Sequence, residues 1–151
     1  MNKSSPTLIF TDLDGTLLDL DNASWDAAEP ALRQAVDLGY PVILCSSRTF
    51  GECQQLQIKM NVRGPIVFEN GGGVALPQNQ FRRPSLPPSD EKEGFWLCKV
   101  AQSYSYVREI LLGLRQQKHY QFRGFGDMTE VQISDYTGRD LDTAALAKER
   151  R

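Results

Sequence analysis

A short apolar run, Thr7-Leu-Ile-Phe10, leads directly into Thr11-Asp-Leu-Asp-Gly-Thr-Leu17. This junction constrains the chain more than any other feature. The run reads as a buried parallel strand. Asp12 and Asp14 stand two positions apart just past its apolar part, and two carboxylates at close range need a cation or a shared proton. Mg²⁺ prefers oxygen ligands and typically takes one or two carboxylates together with substrate phosphate, which makes Asp12 and Asp14 candidate metal ligands. A carboxylate can attack phosphorus, and a second can protonate the leaving oxygen and later activate water. Gly15 allows a tight turn that brings backbone donors near a phosphate. A lone Asp-x-Asp is more simply a turn held by side-chain hydrogen bonds; the apolar strand followed by Asp-x-Asp-Gly-Thr is a far more specific string.

The strand is followed by an amphipathic pattern over residues 24–38, with Trp25, Ala28, Leu32, Ala35 and Val36 at helical spacing and Gly39 at its stop. Pro30 inside that pattern marks a late start or a kink. Pro41-Val-Ile-Leu-Cys45 is a second strand, residues 50–60 a second helix, and Pro65-Ile-Val-Phe68 a third strand. Strand–helix–strand–helix–strand predicts a parallel sheet with right-handed crossovers. Residues 78–93, rich in Pro, Ser and charge, read as a linker or irregular excursion. Beyond them, residues 103–118 form a helix with Val107, Ile110, Leu111 and Leu114 on one face. Gln121-Phe-Arg-Gly-Phe125 is a possible strand, Asp127 with Glu130 fits an N-cap, and residues 140–151 read as a final helix.

Open α/β sheets bind ligands beyond the carboxyl ends of their strands. All three strands end in polar residues: Asp12 and Asp14, then Ser46, Ser47 and Arg48, then Glu69 and Asn70. Ser46 suits a hydrogen bond to a phosphoryl oxygen, or equally the N-cap of the next helix. Arg48 suits a phosphate or a structural ion pair. Glu69-Asn70-Gly71 either lines the same rim or is a plain turn. His119 is read as a helix-end residue, Arg82-Arg83 as solvated, and Cys45 as a small core residue.

Composition removes whole classes of function. The 151 residues suit one domain, or a domain and part of a second. A net charge of -2 supplies no field for nucleic acid or an anionic membrane. No apolar run approaches the roughly 18 residues of a membrane span, and the N-terminus lacks the apolar segment of a signal peptide. Three cysteines at unpatterned spacing read as reduced thiols of a cytoplasmic protein. A single histidine argues against zinc.

At these residues the sequence resembles the haloacid-dehalogenase-like phosphatase superfamily. Asp12-Leu-Asp-Gly-Thr-Leu17 resembles its first motif and Cys45-Ser-Ser-Arg-Thr49 its second. The Ser-Ser-Arg-Thr form, the Phe68-Glu-Asn-Gly-Gly72 string and the later Asp127-Met-Thr129, Tyr136-Thr-Gly138 and Ala144-Ala-Leu-Ala-Lys-Glu-Arg150 are similar to the mannosyl-3-phosphoglycerate phosphatase subfamily. The resemblance implies an α/β fold: a Rossmann-like, parallel, three-layer core, incomplete here, over residues 1–84, with part of an inserted α+β cap over 85–151. It implies Asp12 as nucleophile, Asp14 as acid/base, and Ser46 holding the phosphoryl group. Mg²⁺ would sit on Asp12 and the Asp14 carbonyl. Ser47, Arg48, Gly15 and Asn70 are further phosphate or substrate candidates, and Arg150 is a weak one in the cap. The implied substrate is a small sugar phosphate, mannosyl-3-phosphoglycerate, hydrolysed to mannosylglycerate and phosphate in the cytoplasm.

The family's third-motif Lys and its fourth-motif Gly-Asp-x-x-x-Asp have no counterpart, so the chain resembles the N-terminal half of such an enzyme. On that basis the Thr7–Phe10 strand, central in the family, is expected to keep an unpaired apolar edge. Either a C-terminal half or a homodimer would cover it. The alternatives are a non-catalytic remnant or interaction module, another sugar-phosphate phosphatase of the superfamily, and a receiver-like phospho-accepting switch, which Asp-x-Asp-Gly-Thr fits poorly.

Overall fold

The computed structural model describes residues 7–85 and 89–150. The N-terminal hexapeptide, residues 86–88 of the proline-rich stretch and residue 151 lie outside the described residues. The chain forms two compact units, Met1–Val100 and Ala101–Arg151.

The first unit is built on six strands. β1 (Ile9–Asp12), β2 (Val42–Cys45) and β3 (Ile66–Phe68) are parallel, joined by α1 (Glu29–Asp37) and α2 (Phe50–Lys59). β4 (Gly73–Pro77), β5 (Ser89–Lys92) and β6 (Phe95–Lys99) extend the sheet antiparallel, in the order β1-β2-β3-β4-β6-β5. β2 is flanked on both sides, and Val42, Ile43 and Leu44 are all buried, which explains the unbroken apolar run. β1 has a described neighbour on one side only. Phe10 is 64% exposed and Leu8 54%, so the apolar run at the start of the chain is half buried rather than buried, as expected for a strand with one edge unpaired among the described residues.

One cluster forms the core of this unit. Leu13, Leu18, Leu32, Leu44, Ile66, Phe68, Ala75 and Leu97 are buried within it. Phe50 meets Phe68 and Phe95 edge-on at 5.9 and 5.4 Å between ring centres. Gly73 is obligatory against this ring pair, because a Cβ there would lie 2.2 Å from Phe68.

α1 starts later than its apolar pattern. Pro30 sits in its first turn, where a missing N–H costs nothing. The preceding residues are held in turns by their own side chains: Asp19 accepts from the amides of Asp21 and Asn22, and Ser24 from that of Asp26. The stretch 78–93 ends in a strand rather than in irregular chain. Glu93 and Gly94, at φ 52° and 81°, form the two-residue turn that joins β5 to β6, the geometry of a tight hairpin. Both β5 and β6 pair into the first unit's sheet, which carries that unit to residue 100.

The second unit is helical. α3 (Tyr104–Lys118) is capped by Ser103, which accepts from the Tyr106 amide, and ends on a left-handed His119. α4 (Glu130–Thr137) and α5 (Leu141–Lys148) follow, with Ile133, Ala144 and Ala147 fully buried. None of the residues of α3 is buried. The expected strand over residues 121–125 is absent: the segment is irregular and leads into a single 3-10 turn, Phe125–Asp127. A strand is stable only beside another, and no described segment of this unit pairs with it. Asp127 does not cap α4. Thr129 does, in a reciprocal box with Gln132, while the Asp127 carboxylate accepts from Arg108 (3.0 Å), Arg115 (2.7 Å) and the Gly124 amide (3.1 Å).

Candidate active site

The carboxyl ends of β1, β2 and β3 form one rim, because the three strands are parallel and adjacent. Asp12 is the last residue of β1, in register with Cys45. It is exposed, and among the described residues its carboxylate accepts no hydrogen bond.

The chain then turns sharply. Leu13 and Leu18 are both buried and anchor the turn. The amides of Thr16 and Leu18 donate to the Leu13 carbonyl, and that of Gly15 to the Leu18 carbonyl. Gly15 sits at φ +80°, a conformation glycine adopts without strain. Its amide is committed within the turn.

Asp14, on the outside of this turn, faces the next strand end. Both its oxygens are taken by Arg48: Nε donates to Oδ2 at 3.0 Å and Nη2 to Oδ1 at 2.5 Å. The pair is the planar fork-to-carboxylate geometry that Arg alone can supply. Arg48 is 8% exposed, and its hydrogen bonds to Asp14 raise its pKa above the ordinary guanidinium value. Its Nη1 lies 4.0 Å from Glu52. Glu52 is 1% exposed, and its Oε2 accepts from the amide and hydroxyl of Thr49.

Ser46 does not cap α2. Thr49 does, in a reciprocal box with Glu52. The Ser46 hydroxyl instead accepts from the Arg48 amide at 3.1 Å, bending the β2 end back on itself. Ser46 is 5% exposed, whereas Ser47 is exposed. The loop after β3 is stitched to this bend. The Glu69 amide donates to the Arg48 carbonyl (2.9 Å) and the Asn70 amide to the Ser46 carbonyl (3.0 Å). Both Glu69 and Asn70 hold positive φ, 51° and 56°. Consecutive left-handed non-glycine residues are strained, and persist where their surroundings fix them.

The thiols are poor nucleophiles. Burial, more than the neighbouring Glu52 charge, pushes Cys53 up to about 12. Burial and then the charge of Asp12 push Cys45 up as well. Neither is a thiolate at neutral pH.

The structure therefore brings Asp14, Ser46, Arg48 and Asn70 into one hydrogen-bonded rim, with Asp12 on the adjacent strand end and Ser47 at its surface. Sequence reasoning passed over Thr49 and Glu52, although Thr-x-x-Glu before a helix is a legible capping signal. Among the described residues no group of three or more His, Cys, Asp or Glu side chains could hold a metal. Asp12 and the Asp14 carbonyl are oxygen donors of the kind Mg²⁺ takes, with phosphate and water completing its shell. The donor set thus fits a cation that arrives with an anionic substrate.

The chain is similar to known proteins in sequence and in fold. The family described as haloacid dehalogenase-like hydrolase matches residues 9–124. The glucosyl-3-phosphoglycerate/mannosyl-3-phosphoglycerate phosphatase of Methanococcoides burtonii is 36% identical over 145 residues, which are 95% of this chain and 52% of the relative. The chain spans about half the length of that curated relative. Among solved structures, a haloacid dehalogenase-like hydrolase from B. subtilis superposes with a TM-score of 0.51 at 20% identity, over 94% of this chain and 50% of that one. A haloalkanoate-superfamily protein from Bacteroides thetaiotaomicron gives 0.54 at 15% identity, over 93% and 50%. These likenesses establish the fold.

Proposed function

The chain belongs to the haloacid dehalogenase-like hydrolase family, and from that premise we propose that the rim at Asp12 and Asp14 hydrolyses phosphate monoesters through an aspartyl-phosphate. One observation carries this reading. The two acids of a single Asp-x-Asp occupy different environments: Asp12 is exposed and accepts no hydrogen bond among the described residues, while both Asp14 oxygens are held by Arg48. Two carboxylates in unlike surroundings are what a division between nucleophile and acid/base requires.

In the proposed sequence an Asp12 oxygen attacks phosphorus and displaces the ester oxygen. Asp14 gives that oxygen a proton, which requires it to leave at least one of its bonds to Arg48. A water then attacks the phosphorus of the acyl-phosphate, giving its proton to Asp14, and phosphate departs with Asp12 restored. Ser46, Ser47 and Asn70 line the rim where phosphoryl oxygens would lie. Mg²⁺ held by Asp12 and the Asp14 carbonyl would neutralise phosphoryl charge during transfer.

The substrate reading follows the relative's name: a glucosyl- or mannosyl-3-phosphoglycerate, giving the glycosylglycerate and phosphate. Three free thiols support a reducing, cytoplasmic setting.

The test is phosphate release from mannosyl-3-phosphoglycerate with Mg²⁺, by this chain alone and by this chain joined to the second half of the M. burtonii relative. Release that depends on the cation and vanishes in Asp12→Asn is expected. A joined chain that folds and releases no phosphate would overturn the reading.

A further inference from the structure

We propose that Arg48 is a positioning residue that sets the orientation of Asp14, and not a ligand of the phosphate; the Asp14 role it serves rests on the phosphatase reading above. A guanidinium on a phosphate rim is ordinarily expected to meet the phosphate itself. Here its nitrogens are directed elsewhere. Nε and Nη2 close a fork on the two Asp14 oxygens, and Nη1 points at Glu52. Glu52 is itself fixed, since its Oε2 is held by the Thr49 amide and hydroxyl at 3.0 and 3.1 Å at the start of α2.

The backbone of Arg48 is fixed as firmly as its side chain. Its amide is bound by the Ser46 hydroxyl and its carbonyl by the Glu69 amide. The guanidinium is buried beside two carboxylates, so turning it toward a ligand would break its two bonds to Asp14 and withdraw it from Glu52. The Asp14 side chain, by contrast, is 38% exposed and belongs to a turn on a different strand end. The path Thr49–Glu52–Arg48–Asp14 thus anchors a surface carboxylate to the first turn of α2. Planar two-point contact fixes both position and rotation of the carboxylate, which a point charge cannot do. The fork sets the position from which Asp14 turns to the reacting oxygen when it lets go of one bond, and misplacement by an ångström is costly.

Two readouts separate this role from phosphate binding, and one needs no turnover. In the chain itself, the three-bond couplings between the Asp14 α and β protons should report a single rotamer. Arg48→Gln should average them, and Arg48→Lys should give intermediate values because an ammonium reaches one oxygen at a time. Asp12 should be unmoved in both. If Arg48→Gln does not fold, Arg48→Lys decides. Unchanged Asp14 couplings in the folded variant would overturn the proposal.

The second readout uses whichever protein passes the phosphate-release test. Arg48→Gln should lower kcat on an alkyl phosphate by about 10–100-fold while KM stays within about twofold. With p-nitrophenyl phosphate, whose leaving group needs no proton, the first-turnover burst of nitrophenol should be nearly unaffected, while steady-state turnover falls with the water-attack step that Asp14 also serves. A KM rise on both substrates with kcat preserved would identify Arg48 as a phosphate ligand and sink the proposal. Should no protein release phosphate, the phosphatase reading fails and the rotamer measurement still decides the role of Arg48.

Discussion

The two units of the chain reach order by different means. In residues 7–100 the sheet carries a contiguous buried cluster, and side chains far apart in sequence meet in it: Leu13, Leu44, Phe68 and Leu97. In residues 101–150 a 15-residue helix buries none of its residues. Beyond the small buried set of Ile133, Ala144 and Ala147, order there comes from local devices: caps at Ser103, Thr129 and Asp140, a left-handed Gly138 closing α4, and the Asp127 carboxylate gathering Arg108, Arg115 and the Gly124 amide. A cluster of apolar contacts is cooperative and fails as a whole. A set of caps and ion pairs fails piece by piece. The proposed chemistry sits on the first unit, where groups on strand ends can be held in place.

Four substitutions put this contrast under strain, in descending order of effect. Phe68→Ala removes a buried ring that packs against Phe50 and should cost the first unit about 3–5 kcal/mol. Native-state hydrogen exchange should show protection falling throughout β1–β6 together, and a loss confined to β3 would refute cooperativity. Thr129→Ala should cost about 1 kcal/mol, with faster exchange in α4 and no change in β2.

Asp127→Asn acts through pH. Hydrogen bonds from Arg115 and then Gly124 hold the Asp127 carboxyl below the ordinary carboxylate range. Its contribution is therefore present above the unfolded pKa and is lost as pH falls through the depressed folded value. Carbon chemical shifts of α3 and α4 should drift toward coil below about pH 4. The Asn variant should show much less of that drift, and an identical acid profile would show that the Arg cluster contributes nothing. Last, Leu111→Gln on the exposed face of α3 should change stability by less than about 0.5 kcal/mol; a large loss would mean that α3 is packed in solution.

The same contrast explains what could be read from the sequence. β2 is buried on both faces, so it appears as an apolar run, and the helix before it carries period and stop signals. β5 is a charged strand, Ser-Asp-Glu-Lys, whose existence depends on β6 beside it, and no local pattern reveals that. The segment at residues 121–125 shows the converse: strand-like composition with no described neighbour to pair with. Asp12 and Asp14 were legible because their spacing is local. The bonds between Arg48 and Asp14 join residues 34 apart, and only the parallel alignment of β1 and β2 brings them together. Asp127 was legible as an acid before a helix, but its three partners lie on α3 and in the preceding loop, beyond any local rule.

The stitching of Glu69 and Asn70 to the carbonyls of Arg48 and Ser46 has a consequence for ligand affinity. Those amides fix two left-handed residues during folding, before any ligand arrives. An anion bound as proposed would then have less loop entropy to remove from this rim, and more of its contact energy would appear as binding. Releasing either amide would remove no side chain and would still weaken that binding, through a loop that must be ordered anew at each encounter.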